Sequence, residues 1–346
     1  EQTEVVEASL GRGTGAAWTA YVDAQAETWD CLREHVLEPA DGAAALADRT
    51  LARQLKAKTS LAALHKKALK DGRLRLMAER PFALAGSQPR DVPAFAAVEA
   101  YVERTFGVWS IEGGLGQLTQ ALLTRLDERG VLVRLGAEVT ALSASNDRVT
   151  GVETATGDHL AADVVVTDID PRRVFGDWLG GFPRLPGHQV FGSATPAIPV
   201  GVTHLGLEGE LPELPDEVVL YGEPLLVVNT RGIAPTGRQG WTVLRRGSAR
   251  EDVLITLVHR GIDIRTNVVT RLDRTPVDLI NETNGSSYGL AWAGWRAHVQ
   301  RAAQTHPLPG LYLLGASMHP GSSIPYVGWG AAHVAARIGK ATATAG

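Results

Sequence analysis

No other stretch narrows the fold of this chain as far as residues 310–336, GLYLLGASMHPGSSIPYVGWGAAHVAA. The apolar run Leu311 to Leu314 reads as a short strand, Pro325 fixes a turn after a glycine-punctuated loop, and small residues then continue as a helix. Strand, loop and helix start therefore follow in series. Gly315, Gly321, Gly328 and Gly330 permit close approach of a backbone or a flat ring, and the amides at the helix start suit a partly anionic group. An ordinary strand-to-helix connection explains the same spacing, so the pattern alone leaves both readings open.

A second glycine pattern lies near the start. Val5 and Val6 precede Gly11, Gly13 and Ala16, the spacing G-x-G-x-x-A of a dinucleotide loop. Such a loop needs a buried strand before it and, after its helix, a second strand ending in Asp or Glu. Here EQTEVVEAS is too acidic for a central parallel strand, and HVLEPADG turns straight into another helical pattern. The reading adopted is a loop and a helix cap.

With 346 residues the chain can bury a sizeable core and form two modest domains. Its formal charge of -4 offers no electrostatic case for nucleic acid, and no apolar run of about 18 residues exists to span a bilayer. The single cysteine, Cys31, excludes an intrachain disulfide and a thiolate metal cluster, which favours a reducing, cytoplasmic setting. Nothing at the N-terminus reads as a signal peptide. The start at Glu1 rather than methionine is read as the mark of a processed product or of part of a longer reading frame.

Ala16 to Leu37 places Trp18, Tyr21, Val22, Trp29, Leu32 and Val36 at helical spacing, closed by Pro39. Ala43 to Leu69 continues as one or two helices, with Leu46, Leu51, Leu55, Leu61 and Leu64 set against a run of lysines and arginines. A basic amphipathic helix can lie on an anionic membrane surface; a solvated helix face is the other reading. Pro81, Pro89 and Pro93 mark an irregular connection before a short helix at Ala94 to Thr105. The spacing then predicts a turn at Gly113-Gly114, a helix bearing Leu118, Leu122, Leu123 and Leu126, and a strand from Val131 to Leu135. Val139 to Leu142 and Val149 to Thr154 pair as a hairpin about Asn146-Asp147, and Leu160 to Thr167 reads as a buried strand ending at Asp168. Alternation at Ala197 to Leu205, Pro224 to Asn229 and Trp241 to Leu244, with a helix near Glu251 to Gly261, argues for an antiparallel sheet forming one wall of a pocket. A polar loop, Asn281 to Tyr288, leads to Trp292 and Trp295.

Three segments recur together. Ser110 to Leu118, SIEGGLGQL, carries the paired glycines Gly113 and Gly114. Gly130 to Pro171 spaces Val139, Gly151-Val152, Gly157 and Ala162-Asp163-Val164-Val165 ahead of Asp170-Pro171. Thr275 to Ile338 runs through TPVDLINETN, a Tyr-Gly pair, Arg301 and LPGLYLLGASMHPGSSIPYVGWGAA. Set in this order along a span of roughly two thirds of the chain, they resemble the phytoene desaturase branch of the FAD-dependent amine oxidase superfamily.

That resemblance implies an FAD-dependent oxidoreductase of the desaturase or dehydrogenase type, moving hydride from an apolar, polyene-like substrate to flavin. It implies an α/β fold: an incomplete FAD/NAD(P)-binding domain, a helical segment and an α+β substrate part with an antiparallel sheet. The expected segments are 1–107 (helical, facing substrate or membrane), 108–172 (half of the nucleotide domain), 173–290 (antiparallel-sheet substrate domain) and 291–346 (flavin site). Cofactor contacts carry over to Gly113, Gly114, Val139, Gly315, Ala316, Ser317, Gly321, Ile324 and Pro325, with Val139 beside the adenosine. His319 and Tyr326 flank the expected ring position and are the candidate catalytic residues.

The chain also departs from the family pattern. No counterpart of the N-terminal G-x-G-x-x-G unit is present, which leaves a second chain or an upstream segment to supply it. Ser322-Ser323 replace smaller residues, Glu112 brings charge, and Tyr326 stands where glycine is common, so that a phenol stacks on or occupies the flavin site. The alternative reading is an FAD-free remnant that carries out redox-neutral isomerisation or cyclisation, or binds a hydrophobic ligand. His35, His65, His204 and His259 show no metal-ligand spacing.

Overall fold

The computed structural model describes residues 2–39, 42–45, 47–145, 147–179, 195–248, 250–283, 285–294 and 308–340. Leu46, Asn146, Trp295 and Arg301 lie outside them. The chain divides into two compact units: Glu1–Thr105, Gly136–Ile198 and Ile280–Gly346 make up the first, Phe106–Leu135 and Pro199–Leu279 the second. These units cut across the four consecutive segments expected from the sequence, because residues 106–135 group with residues 199–279 and not with the hairpin that follows them.

The N-terminal residues are helical where a dinucleotide unit needs a strand. Helix α1 (Gln2–Leu10) turns through Gly11 and Gly13 into α2 (Thr14–Asp23). Gly13 sits at φ 87°, and the amides of Gly13 and Gly15 donate to the Glu7 carboxylate at 2.5 and 2.8 Å. A Cβ at Gly15 would overlap the Thr3 carbonyl, so this glycine lets α1 and α2 close on each other. The expected helix over 16–37 breaks at Ala24-Gln25 into α2 and α3 (Ala26–Leu32), which widens into a π turn, Arg33–Leu37. The six residues assigned to its apolar face are all buried.

Short helices follow: α4 (Gly42–Ala45), α5 (Arg49–Gln54, capped by Asp48) and α6 (Leu61–Ala68, capped by Ser60). The span 43–69 is thus more broken than its periodicity predicts, since each cap supplies backbone donors with a partner and starts a new helix. Pro81 lies inside α7 (Gly72–Leu84), not in a connection. Leu74, Ala78 and Phe82 of that helix are buried, and their packing offsets the lost backbone bond. A 3-10 turn, Ala94–Ala97, leads into α8 (Val98–Phe106), and α9 spans Gly116–Glu128.

Strands β1 (Val139–Ser145), β2 (Arg148–Thr154) and β3 (His159–Ala161) form an antiparallel sheet in that order. The single strand expected over 160–167 is two: β3 pairs with β2, whereas β4 (Val165–Thr167) joins a different sheet. Asp170 is buried and caps α10 (Pro171–Arg173), accepting from the Arg172 amide and guanidinium. Strands β5 (Gly201–Glu208), β6 (Glu217–Leu220), β7 (Leu225–Gly232), β8 (Arg238–Arg246) and β9 (Val268–Arg274) form an antiparallel sheet in the order β6-β7-β8-β5-β9. Helix α11 (Val253–His259) is followed by α12 (Pro276–Thr283), which takes the first part of the expected polar loop. Strand β10 (Leu311–Leu313) runs parallel to β4, and α13 (Ile324–Ile338) follows.

In the first unit, the helices close on two apolar clusters. One gathers Trp18, Tyr21, Val22, Leu61, Leu74 and Phe82; the other Trp29, Leu32, Val36, Leu55, Phe95 and Val98, with Tyr326 and Trp329 packed against it. Inside the first cluster the fully buried His65 pairs through Nε2 with the Tyr21 hydroxyl (2.9 Å) and through Nδ1 with Glu79 (3.1 Å). Burial, with the charge of Glu79 added, pushes the Tyr21 phenol well above its ordinary range. In the second unit, alternate residues of the sheet (Leu205, Leu207, Leu226, Val228, Trp241 and Val243) pack on Val253 and Leu257 of α11. Within that unit α9 has no buried residue, and residues 131–135 are not a strand: Leu132 is 75% and Leu135 91% exposed. Their apolar pattern predicts a strand, but no described strand of the unit pairs with them.

Candidate active site

The site is built on the parallel pair β4-β10. Its register sets Leu311 against Val165 and Leu313 against Thr167, and the amide of Leu314 donates to the Thr167 carbonyl at 2.9 Å. Beyond the strand ends Gly315 takes φ 101°, a value L side chains rarely adopt, and a Cβ there would lie 3.3 Å from the Asp168 carbonyl. The Met318 amide donates back to the Gly315 carbonyl at 3.0 Å, which closes a tight turn. Ser317 and Met318 are buried, and Gly289 packs its backbone against Ala316.

His319 is buried, with its ring parallel to that of His333 at a centroid distance of 6.1 Å; His333 Nε2 lies 2.9 Å from the Glu38 carbonyl. Gly321 has φ 136°. Ser323, at the N-cap of α13, has φ 105° and ψ 151° and makes no side-chain cap bond. That backbone region is close to glycine-only, so the serine holds strain at the helix start. Pro325 stands in the first turn, where its missing amide costs nothing.

Beside this helix start lies a cavity of about 250 Å³. Leu32, Leu37, Phe82, Phe95, Val98 and Trp292 make its apolar walls, and Pro320, Ser322, Ser323 and Tyr326 close the side toward α13. Phe95 and Trp292 meet edge to face, ring centroids 6.0 Å apart. Tyr326 lies on the cavity wall, its hydroxyl 3.4 Å from Glu99 Oε1. The aromatic packing of the second apolar cluster holds it there.

Gly315, Ala316, Ser317, His319 and Gly321 therefore stand on the short connection between β10 and α13, and Ile324, Pro325 and Tyr326 in the first turn of α13. Val139 opens β1 in the same unit, on the antiparallel sheet. Gly113 and Gly114 belong to the other unit, where they form a turn with φ 78° and 84° and a side chain at 114 would meet Ile233. Sequence reasoning missed the cavity residues Glu99, Phe95 and Trp292. The available signal was Glu99 next to Val98 on an otherwise apolar helix start, FAAVEAYV.

The residues fit part of a flavin. Left-handed glycine at Gly315 and the N-terminus of a 15-residue helix suit a flat, partly anionic group. The diphosphate clamp of a dinucleotide unit does not fit at α2, because Glu7 already takes the amides of Gly13 and Gly15. There, helix α1 and not a strand precedes the glycine loop.

Residues 16–172 match the family described as flavin containing amine oxidoreductase. The resemblance read from the sequence holds. The chain is 26% identical over 314 residues to hydroxyneurosporene desaturase of Cereibacter sphaeroides, across 78% of this chain and 61% of that protein. It is 26% identical over 287 residues to 4,4'-diapolycopene oxygenase of Methylomonas sp, across 70% and 57%. The chain thus spans less than two thirds of the length of either. Wild-type putrescine oxidase bound to putrescine superposes with a TM-score of 0.62 at 16% identity, over 92% of this chain and 75% of that one, which shows a shared fold. By sequence and fold the chain is similar to flavin-containing oxidoreductases of mixed helix and sheet.

Proposed function

We propose that this chain provides the substrate cavity and one wall of the flavin site in an FAD-dependent oxidoreductase of the desaturase type acting on an apolar, polyene-like substrate. The observation that carries the reading is the apolar cavity set against the glycine-containing connection from β10 to α13. Relatives named for the carotenoids hydroxyneurosporene and diapolycopene support it.

FAD, when bound, supplies the hydride acceptor. Gly315, Ala316, Ser317, Gly321, Ile324 and Pro325 give it a close backbone approach, and Val139 serves the adenosine end, as the family pattern implies. Gly113 and Gly114 are proposed as further cofactor contacts. His319 and Tyr326 orient the substrate beside the ring, and Leu32, Leu37, Phe95 and Trp292 keep water from it. Residues outside this sequence, in the same chain or a second one, provide the diphosphate clamp.

The test is an absorbance scan of the native protein, before and after FAD addition and gel filtration. A retained flavin spectrum that bleaches anaerobically with an apolar polyene is the expected result, and no uptake of flavin sinks the reading. The FAD-free alternative draws on the Glu7 bonds that occupy the α2 amides. It predicts conversion of substrate to a product of unchanged mass with no electron acceptor.

Peripheral membrane contact belongs to the same reading. Residues 49–75 hold nine lysines and arginines against one acid, Asp71, in a chain whose formal charge is -4. Lys56, Lys58, Lys66, Lys67 and Lys70 are all exposed. No helix among the described residues is long and apolar enough to cross a membrane. Flotation with anionic but not zwitterionic vesicles is the expected outcome, and flotation with neither removes this part of the proposal.

A further inference from the structure

Residues 116–135 present an apolar surface that no described residue covers. Helix α9 carries Leu118, Leu122 and Leu126 four residues apart, one stripe along one face, yet none of its residues is buried. Gly130, at φ 67°, ends the helix, and the apolar run Val131-Leu132-Val133 follows at once with Leu135 behind it; all four are exposed. Among the described residues the backbone of Leu132 to Leu135 makes no hydrogen bond, and the Val131 amide alone finds a partner, the Leu126 carbonyl at 3.0 Å. A stripe and a run exposed side by side in sequence are the kind of apolar surface that marks an interaction site.

The pattern also says what the cover is made of. A run apolar at consecutive positions marks a strand covered on both faces, as in parallel sheets, whereas a strand with one wet face alternates. Helix α9 with its one apolar stripe, the short connection Arg129-Gly130 and such a run follow one another as the helix and second strand of a βαβ unit do. A lipid surface does not suit it, because the peptide groups of 132–135 would enter hydrocarbon with no partner. A second copy suits it poorly, since it brings the same single run and two strands alone make a marginal sheet. A segment with parallel strands of its own gives the run its ladder bonds and the α9 stripe an apolar sheet face. The matches cover only 61% of hydroxyneurosporene desaturase and 57% of 4,4'-diapolycopene oxygenase, which leaves chain enough in those proteins for such a segment. We infer that the stripe of α9 and residues 131–135 form the docking face for an α/β segment that contributes parallel strands, the segment that also supplies the diphosphate clamp. Its identity as the clamp rests on the proposed FAD reading; the need for a strand-bearing partner rests on the exposed stripe and run alone.

Amide hydrogen exchange, read by mass spectrometry, compares the protein purified from its own cells with the 346-residue chain prepared alone. Peptides over 131–135 exchange about a hundredfold more slowly in the former, because their amides gain ladder partners there. The contact is then identified by replacing Leu132 with the photocrosslinker p-benzoylphenylalanine in the same cells, with Glu213, an exposed residue of the same unit, as the control position. The expected adduct joins residue 132, and not residue 213, to a segment bearing G-x-G-x-x-G, in the same chain or in another. Equal exchange in the two preparations overturns the inference, as does equal crosslinking from both positions. An adduct with residues 1–346 of a second copy overturns it in favour of self-association, and an adduct with lipid or with a segment lacking that motif overturns it as well. Should the substituted chain fail to fold, exchange in the unsubstituted protein decides. Flavin uptake is read separately by absorbance. Flavin held while 131–135 stay unprotected sinks this inference alone, whereas protection by such a segment without flavin sinks the oxidoreductase reading and leaves the docking face.

Discussion

Two glycine loops in this chain each open a helix, and they reach opposite ends. The first, through Gly11 and Gly13, has the spacing of a dinucleotide fingerprint, yet Glu7 takes two of its amides and Gly15 is needed for contact between two helices. The second, Gly315 to Ser323, matches no short fingerprint. It nevertheless leaves its helix without a side-chain cap and holds a serine in a glycine-like conformation beside a cavity. Glycine spacing therefore says where a backbone can bend. What satisfies the freed amides decides whether a ligand is wanted there.

The comparison can be broken most sharply at Gly15. Gly15→Ala drives a methyl into the Thr3 carbonyl, and we expect a loss of about 3 kcal/mol as α1 and α2 separate, read from urea denaturation. An unchanged midpoint would mean that the first loop is not a packing device. Glu7→Ala follows, with an expected loss of about 1–2 kcal/mol from two uncapped amides and no gain of nucleotide binding. Nucleotide uptake by that variant would restore the fingerprint reading.

At the second loop the sign reverses. Ser323→Gly relieves the φ of 105° and raises stability by about 1 kcal/mol, a melting shift of roughly 2 °C in a chain of this size. A fall in melting temperature would show the serine side chain to be needed where it stands.

The smallest effect concerns a helix capped in the ordinary way. Asp71 caps α7, and the Arg73 guanidinium and amide beside it hold its carboxyl down at about 2. A lowered folded value means that the contribution is complete above the ordinary carboxylate range and is lost as pH falls through about 2. The difference in melting temperature between the native chain and Asp71→Asn should therefore shrink between pH 4 and pH 2. A difference that stays constant over that interval would remove the charge from the cap.

Much of the helical part was legible because burial enforces the 3.6-residue period: Trp18, Tyr21, Val22, Trp29, Leu32 and Val36 are all inside. The breaks were not legible. Asp48, Ser60 and Asp71 cap new helices by competing locally for amides, a choice the apolar pattern does not record. Strand pairing was harder still. Residues 160–167 read as one apolar run, yet β3 and β4 go to different sheets, and 131–135, equally apolar, pair with no described strand of their unit. For the site, the connection from Gly315 to Pro325 was readable from its glycines and proline. The cavity was not, because Phe95 and Glu99 are far in the chain from Trp292 and Ser322 and no spacing rule links the three segments.

By itself the sequence determined the buried faces of α2 and α3, the alternation of the antiparallel sheet and the strand, loop and helix near residue 315. These follow from local backbone geometry and the removal of apolar side chains from water, both of which act on short windows. Only the tertiary structure decided that Glu7 occupies the first glycine loop, that Tyr326 turns to Glu99, and that an apolar cavity lies beside the second loop. Each depends on partners brought together from distant parts of the chain, where packing and amide satisfaction select among conformations that local pattern leaves equally open.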